Sequence, residues 1–210
     1  MMLVDGFKNT LIITVGALAI GVVLGTVVAI VKYFAEDKKA LKPIKYICDF
    51  YVTAVRGIPV VVLLLIFYFV ILKAADGVVV GIITFGINSG AYMAEIVRGG
   101  ILAVDKGQME AGRSLGMSKM QTMWKIIFPQ AIKNILPAIG NEMIALLKET
   151  SVAGYVAVTD LTRAGNLIRN NTYDAVNPLV AVALVYLLSV VLLTRLLSVF
   201  ERRLRKSDKR

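Results

Sequence analysis

The sequence predicts an all-α integral membrane protein. It reads as one domain over residues 1–210 with five transmembrane helices, a helical loop on the cytoplasmic side, the N-terminus outside and the C-terminus cytoplasmic. Three observations predict it. Hydrophobic residues make up 58% of the chain and charged residues 18%, with a mean hydropathy of +0.75. A soluble domain averages about 45–50% apolar residues with glycine included, so the excess must face lipid or another chain. The stretches 9–31 and 175–194 run for 23 and 20 residues without a charge, and about 20 apolar residues carry a helix across the hydrocarbon core. Finally, 19 of the 24 Lys and Arg fall in the segments 32–56, 95–133 and 195–210. Five crossings place those three segments on one side, and the positive side is cytoplasmic.

The spans follow in order. The first, about 9–32, carries Ala17, Gly21, Gly25 and Ala29 at every fourth position. That small-residue stripe lets another helix approach closely. Its apolar stretch exceeds the core of a cleaved signal peptide, which runs about 7–15 residues, so the span is expected to be retained. The second, about 50–72, rests on the uncharged run 57–72. The third, about 78–98, rests on the uncharged run 77–94, with Gly86, Gly90 and Ala94 repeating the stripe. The fourth, about 131–147, is weaker: it holds Lys133 and Glu142, and Pro137 should kink it. The fifth, about 178–199, should open with Asn177 as its cap and Pro178 in its first turn. The basic tail 201–210 fits the anionic headgroups of membrane lipid.

Several chemistries are excluded. One cysteine, Cys48, forms no disulfide framework, and the absence of histidine removes His-based zinc sites and Ser-His-Asp triads. The net charge of +10 is accounted for by cytoplasmic loops, so it gives no reason to invoke nucleic acid. The chain also lacks the GxxxxGK[ST] phosphate loop of an ATPase.

Between the third and fourth spans lies a polar loop, about 105–129. Asp105 with Gln108, and Ser118 with Gln121, have capping-box spacing, and Gly116 is placed to end the first helix. The loop therefore reads as helix, sharp glycine turn, helix. A DNA-reading helix-turn-helix shares that outline, but a loop this short between spans leaves no domain to support it. A docking knob for a cytoplasmic partner is the better reading.

These residues carry a family resemblance. Glu110-Ala111-Gly112, Gly116 after three intervening residues, nine further residues and Ile126-x-Phe128-Pro129 resemble the EAA loop of ABC-importer permeases, with Gly112 and Phe128 departing from the commonest residues. Arg56-Gly57-Ile58-Pro59, the stretch from Asn88 to Ile101, and Lys148-Glu149-Thr150-Ser151 resemble the polar amino acid (histidine/glutamine/arginine-type) subfamily. The resemblance implies a type I ABC importer permease fold with a cytoplasmic coupling helix, in the cell membrane of a prokaryote. It implies two ATPase subunits, a second permease subunit (the same chain or a close paralogue) and an extracytoplasmic amino acid-binding protein as partners. The chain would hold no cofactor, ATP and magnesium being bound by the ATPase. Glu110, Ala111, Gly112 and Gly116 match the coupling motif. The chain would be no enzyme itself but would convert ATPase closure into alternating access. The runner-up is an ion-coupled secondary amino acid carrier; such folds often carry internal repeats, and none is evident here.

Ionisable residues at membrane depth mark candidate sites. These are Glu95, Arg98, Glu142, Lys148, Glu149 and Asp160. Arg98 suits a substrate carboxylate and Glu95 an amine, although a structural Glu95–Arg98 pair is an equal reading at their i,i+3 spacing. Glu142 and Lys148 form a second possible pair. Arg98, Asn141, Thr150 and Ser151 are the expected polar contacts, with Glu142 or Asp160 for a basic side chain. Tyr68 and Tyr92 wall the pocket, or else serve helix packing.

Overall fold

The computed structural model describes residues 1–36 and 39–206. The expected basic tail therefore lies outside the described residues at 207–210. Nine α-helices, interrupted by 3-10 and wide π turns, account for the described fold, which holds no strand among those residues. It resembles no layered sheet protein; it is a bundle built around two parallel helices.

Helix α1 (Met2–Ala35) and α4 (Gly77–Leu102) make the largest contact in the bundle. Ala17, Gly21, Gly25 and Ala29 are all buried, and the stripe faces α4. A Cβ on Gly21 would lie 2.7 Å from Ser89 Oγ, and one on Gly25 would lie 2.7 Å from the Gly90 carbonyl oxygen. From the other side, Gly86 accepts Ile20 and Gly90 accepts Leu24. The sequence order of these contacts is the same in both helices, so α1 and α4 run parallel. The stripe thus serves packing within the chain.

The expected second span is not one helix. Helix α2 (Lys42–Gly57) and α3 (Val60–Ile66), which continues through a π turn (Phe67–Ile71), meet at a bend of 106°. Pro59 causes it. Its ring pushes Ile58 out of the helical region, and Ile58 sits at φ −102°, ψ 130°.

Asp105 caps α5 (Lys106–Ser114) through the Gly107 N–H at 2.7 Å. The expected box with Gln108 does not close, because the Gln108 side chain accepts instead from Gln130. The second box is present: Ser118 and Gln121 cap α6 (Lys119–Thr122) reciprocally. A π turn (Met123–Ile127) then leads into α7 (Phe128–Glu149), which runs unbroken through Pro137. A 3-10 turn (Thr150–Val156) follows, then α8 (Leu161–Thr172) and α9 (Val176–Lys206). Helix α9 begins ahead of the expected cap Asn177. The Asp174 carboxylate takes the N–H groups of Val176 and Asn177 and the Asn177 side chain, and those bonds hold its carboxyl below the usual range.

Helix α8 lies at the end of the bundle where α1 begins. Asn9 Nδ2 donates to the Thr159 carbonyl at 2.9 Å, and the Leu161 N–H donates to Thr10 Oγ1 at 3.1 Å. The α5–α6 loop lies at the opposite end. Helices α1, α4 and α9 are long and apolar enough to cross a membrane, and the bent α2–α3 pair makes a fourth candidate. Helix α7 has 22 residues, about 33 Å at 1.5 Å per residue, but it is not apolar enough to join that set.

Gly25→Leu should force α1 from α4, at a cost of about 1–3 kcal/mol for overpacking. Gly99→Ala, where a Cβ meets nothing within 4 Å, should be harmless. Thermal melting of the purified protein in detergent checks the pair.

Candidate functional site

Two features stand out: a projecting knob and a charged cleft. The knob is α5–α6. Gly116 has φ +84°, a conformation that costs an L-residue about 1–2 kcal/mol. Around it the Gly116 N–H bonds the Arg113 carbonyl at 3.0 Å and the Met117 N–H bonds the Gly112 carbonyl at 3.1 Å. This is a Schellman turn, which satisfies the last carbonyls of α5. Gly112 is buried, and a Cβ there would lie 2.8 Å from Thr122 Oγ1. The departure from alanine at this position thus lets α5 press against α6. Glu110, Ala111 and Gly116 are exposed, and Leu115 at the tip is 81% exposed. Met120 and Trp124 extend the apolar surface. An apolar tip on a polar loop is the signature of a surface that another protein covers.

The cleft opens at the α2–α3 bend. On the side nearer α8 it holds about 300 Å³ and is lined by Arg56 through Val60 together with Asn88, Tyr92 and Glu149. On the side nearer the knob it holds about 420 Å³, lined by Lys32, Asp49, Thr53, Arg56, Tyr92 and Glu95 among others. Arg56 lies over the Tyr92 ring, 5.1 Å from its centre. Asn88 Nδ2 donates to Glu149 Oε2 at 3.3 Å, and Ser89 Oγ donates to Glu142 Oε1 at 2.9 Å. Lys32 bridges Asp49 (2.9 Å) and Glu95 (3.2 Å), and Glu95 also receives Arg98 at 2.7 Å.

Of the expected substrate residues, Tyr92 and Glu95 line this cleft. Arg98 is tied to Glu95 as the structural reading anticipated, and Glu142 is bonded to Ser89 rather than to Lys148. The others lie elsewhere. Tyr68 packs into the apolar cluster around Phe85. Asn141 is exposed and donates to the Pro137 carbonyl. Thr150 is buried and donates to the Leu147 carbonyl. Ser151 lines a separate open cleft of about 560 Å³ beside α8, with Tyr155, Arg163 and Asn166. Asp160 is fully buried and caps α8 through the N–H groups of Thr162 and Arg163.

Sequence reasoning had no place for Lys32, Asp49, Arg56, Asn88 or Ser89 as site residues. Arg56 counted as a loop charge and as part of the Arg56–Pro59 stretch that carries the family resemblance, not as a site residue, although Pro59 three residues on was the signal for the bend that exposes it. Asp160→Asn should keep the cap and leave the melting temperature near that of the parent chain, whereas Asp160→Ala should cost about 0.5–2 kcal/mol. Thermal melting of the two variants checks the assignment; a loss in Asp160→Asn as large as in Asp160→Ala would overturn the capping role.

Comparison with known proteins agrees with this architecture. Residues 21–206 match the family described as the binding-protein-dependent transport system inner membrane component. The probable glutamine ABC transporter permease of Bacillus subtilis (strain 168) is 38% identical over 98% of this chain and 94% of its own length. The arginine transport system permease of the same organism is 35% identical, with the same coverage of each chain. The glutamine transport system permease of Escherichia coli (strain K12) is 34% identical over 97% of this chain and 93% of its own. Among solved structures, an amino acid ABC transporter crystallised with histidines superposes with a TM-score of 0.90 at 40% identity, covering 96% of this chain and 94% of that one. An inward-facing methionine ABC transporter shares the fold, with a TM-score of 0.83 at 23% identity over 97% and 96% of the two chains. The chain therefore belongs to the inner membrane component family of binding-protein-dependent transport systems.

Proposed function

We propose that this chain is the translocation subunit of an ATP-driven importer for polar or basic amino acids. One observation carries the reading. The knob joins α4 through a short turn after Leu102 and passes through α6 and the π turn into α7. Those two helices supply Asn88, Ser89, Glu142 and Glu149, which face one another across the bundle. A force applied to the knob therefore moves the walls that hold the polar groups.

The proposed working unit pairs this chain with a second permease subunit, two ATPase subunits under the knobs and an extracytoplasmic binding protein. Five crossings, α7 included, put the knob in the cytoplasm and the N-terminus outside. That assignment rests on the 19 of 24 Lys and Arg that fall in the segments 32–56, 95–133 and 195–210. ATP and magnesium stay on the ATPase. Closure of the ATPases would draw the knobs together and open the cleft outward; release after hydrolysis would reset it inward. In the cleft, Arg56 takes the α-carboxylate as a bidentate pair. Glu149, oriented by Asn88, takes the ammonium or a cationic side chain. The names of the similar permeases, which specify glutamine and arginine, support that substrate class.

Gly116→Val and Glu110→Lys should each uncouple ATP hydrolysis from uptake in proteoliposomes holding the assembled complex, while the chain still inserts. Normal coupled uptake in both variants would sink the coupling role. Arg56→Gln or Glu149→Gln should weaken substrate binding about tenfold to a hundredfold, the range for a lost hydrogen bond to a charged group. Substrate accumulation by the chain alone under a proton or sodium gradient would favour the ion-coupled carrier.

A further inference from the structure

The two halves of the cleft share Arg56, Gly57 and Tyr92. Their remaining polar groups differ. The half nearer α8 offers Asn88 and Glu149; the half nearer the knob offers Lys32, Asp49 and Glu95. Asn88 and Glu95 are seven residues apart on α4, about 10 Å at 1.5 Å per residue. Both halves reach the size range of ligand clefts, about 300–1,000 Å³.

Charge pairing singles out one group. Asp49, Glu95, Lys32 and Arg98 are linked into one chain of ion pairs. Arg56 has no carboxylate partner among the described residues and is held only by the face of Tyr92. A guanidinium in a cleft without an anion is a carboxylate site in waiting. It stands on the boundary, with acids on both sides of it.

We infer that Arg56 is a pivot: it keeps the substrate's α-carboxylate while the cationic end swings from Glu149 to Asp49 and Glu95, a second binding station nearer the knob. The inference rests on the reading of the α8-side half as the substrate site. The swing exchanges one ion pair for another, so no charge is stripped bare in a low-dielectric path. Lys32 makes the second station weak. It already occupies both acids, and an arriving cation must displace it from at least one. A weak last station favours release over retention.

The permease–ATPase complex in nanodiscs, titrated with radiolabelled L-arginine and L-glutamine, tests this. Glu149→Gln should weaken binding about tenfold to a hundredfold yet leave measurable residual binding. Adding Glu95→Gln and Asp49→Asn should remove that residue. If the triple variant fails to assemble, Glu149→Gln with Glu95→Gln should still reduce the residual affinity by about fivefold or more. With Glu149 intact, Glu95→Gln should lower kcat of uptake several-fold with KM changed by less than about twofold. Loss of all binding in Glu149→Gln alone, or residual binding indifferent to Glu95→Gln and Asp49→Asn, overturns the pivot. An unchanged Kd in Glu149→Gln overturns the assignment of the α8-side half, and the pivot with it.

Discussion

The close approach of α1 and α4 is the constraint on which the rest of the structure depends. In lipid there is little hydrophobic drive between helices, so association relies on van der Waals contact and on how near two backbones can come. Glycines at 21 and 25 on α1 and at 86 and 90 on α4 remove the side chains that would hold them apart. Most of the bundle is assembled on this parallel pair, and α9 packs on α7 and α8. Helices α2, α7 and α8 pack on α1, and α2, α3 and α7 pack on α4. The pair also brings Lys32 of α1 to Glu95 of α4, which creates the first link of the charged chain at the knob end.

Around that pair the molecule manages polarity by concentrating it. Intramembrane charges are expensive unless they pair or line a wet cavity. Lys32, Asp49, Glu95 and Arg98 pair with one another, and Glu142 and Glu149 take donors from Ser89 and Asn88. The bend at Ile58–Pro59 belongs to the same arrangement. Non-helical backbone at membrane depth is tolerated only where protein or a cavity covers it, and here the unwound residues line the cleft. The other polar groups counted at the sequence level, Asp160 and Thr150, satisfy local backbone instead.

What the sequence made legible was local or periodic. The small-residue stripe, the Ser118–Gln121 box and the turn at Gly116 are written within a few neighbouring residues, and each appears in the structure. The long apolar helices were legible for the same reason. Hydropathy, however, reports composition and not direction, so the run through 57–72 concealed a 106° bend that Pro59 alone marked. The Asn177 cap assignment failed because Asp174, three residues earlier, has the carboxylate that reaches the free N–H groups of Val176 and Asn177. The cleft was hardest. Its residues come from α1, α2, α3, α4 and α7 and the bend between α2 and α3, up to 117 positions apart from Lys32 to Glu149, and no spacing rule joins them.

The wide turn at Met123–Ile127 sits between the knob and α7. A π turn carries one more residue than an α turn, and one residue is about 100° of rotation at 3.6 residues per turn. The angular phase of α7 is therefore set upstream, by a segment that lies outside the cleft. Glu142 and Glu149 point at α4 because of a residue inserted more than a dozen positions earlier. The orientation of the carboxylates relative to the knob is thus written in the count of residues between them.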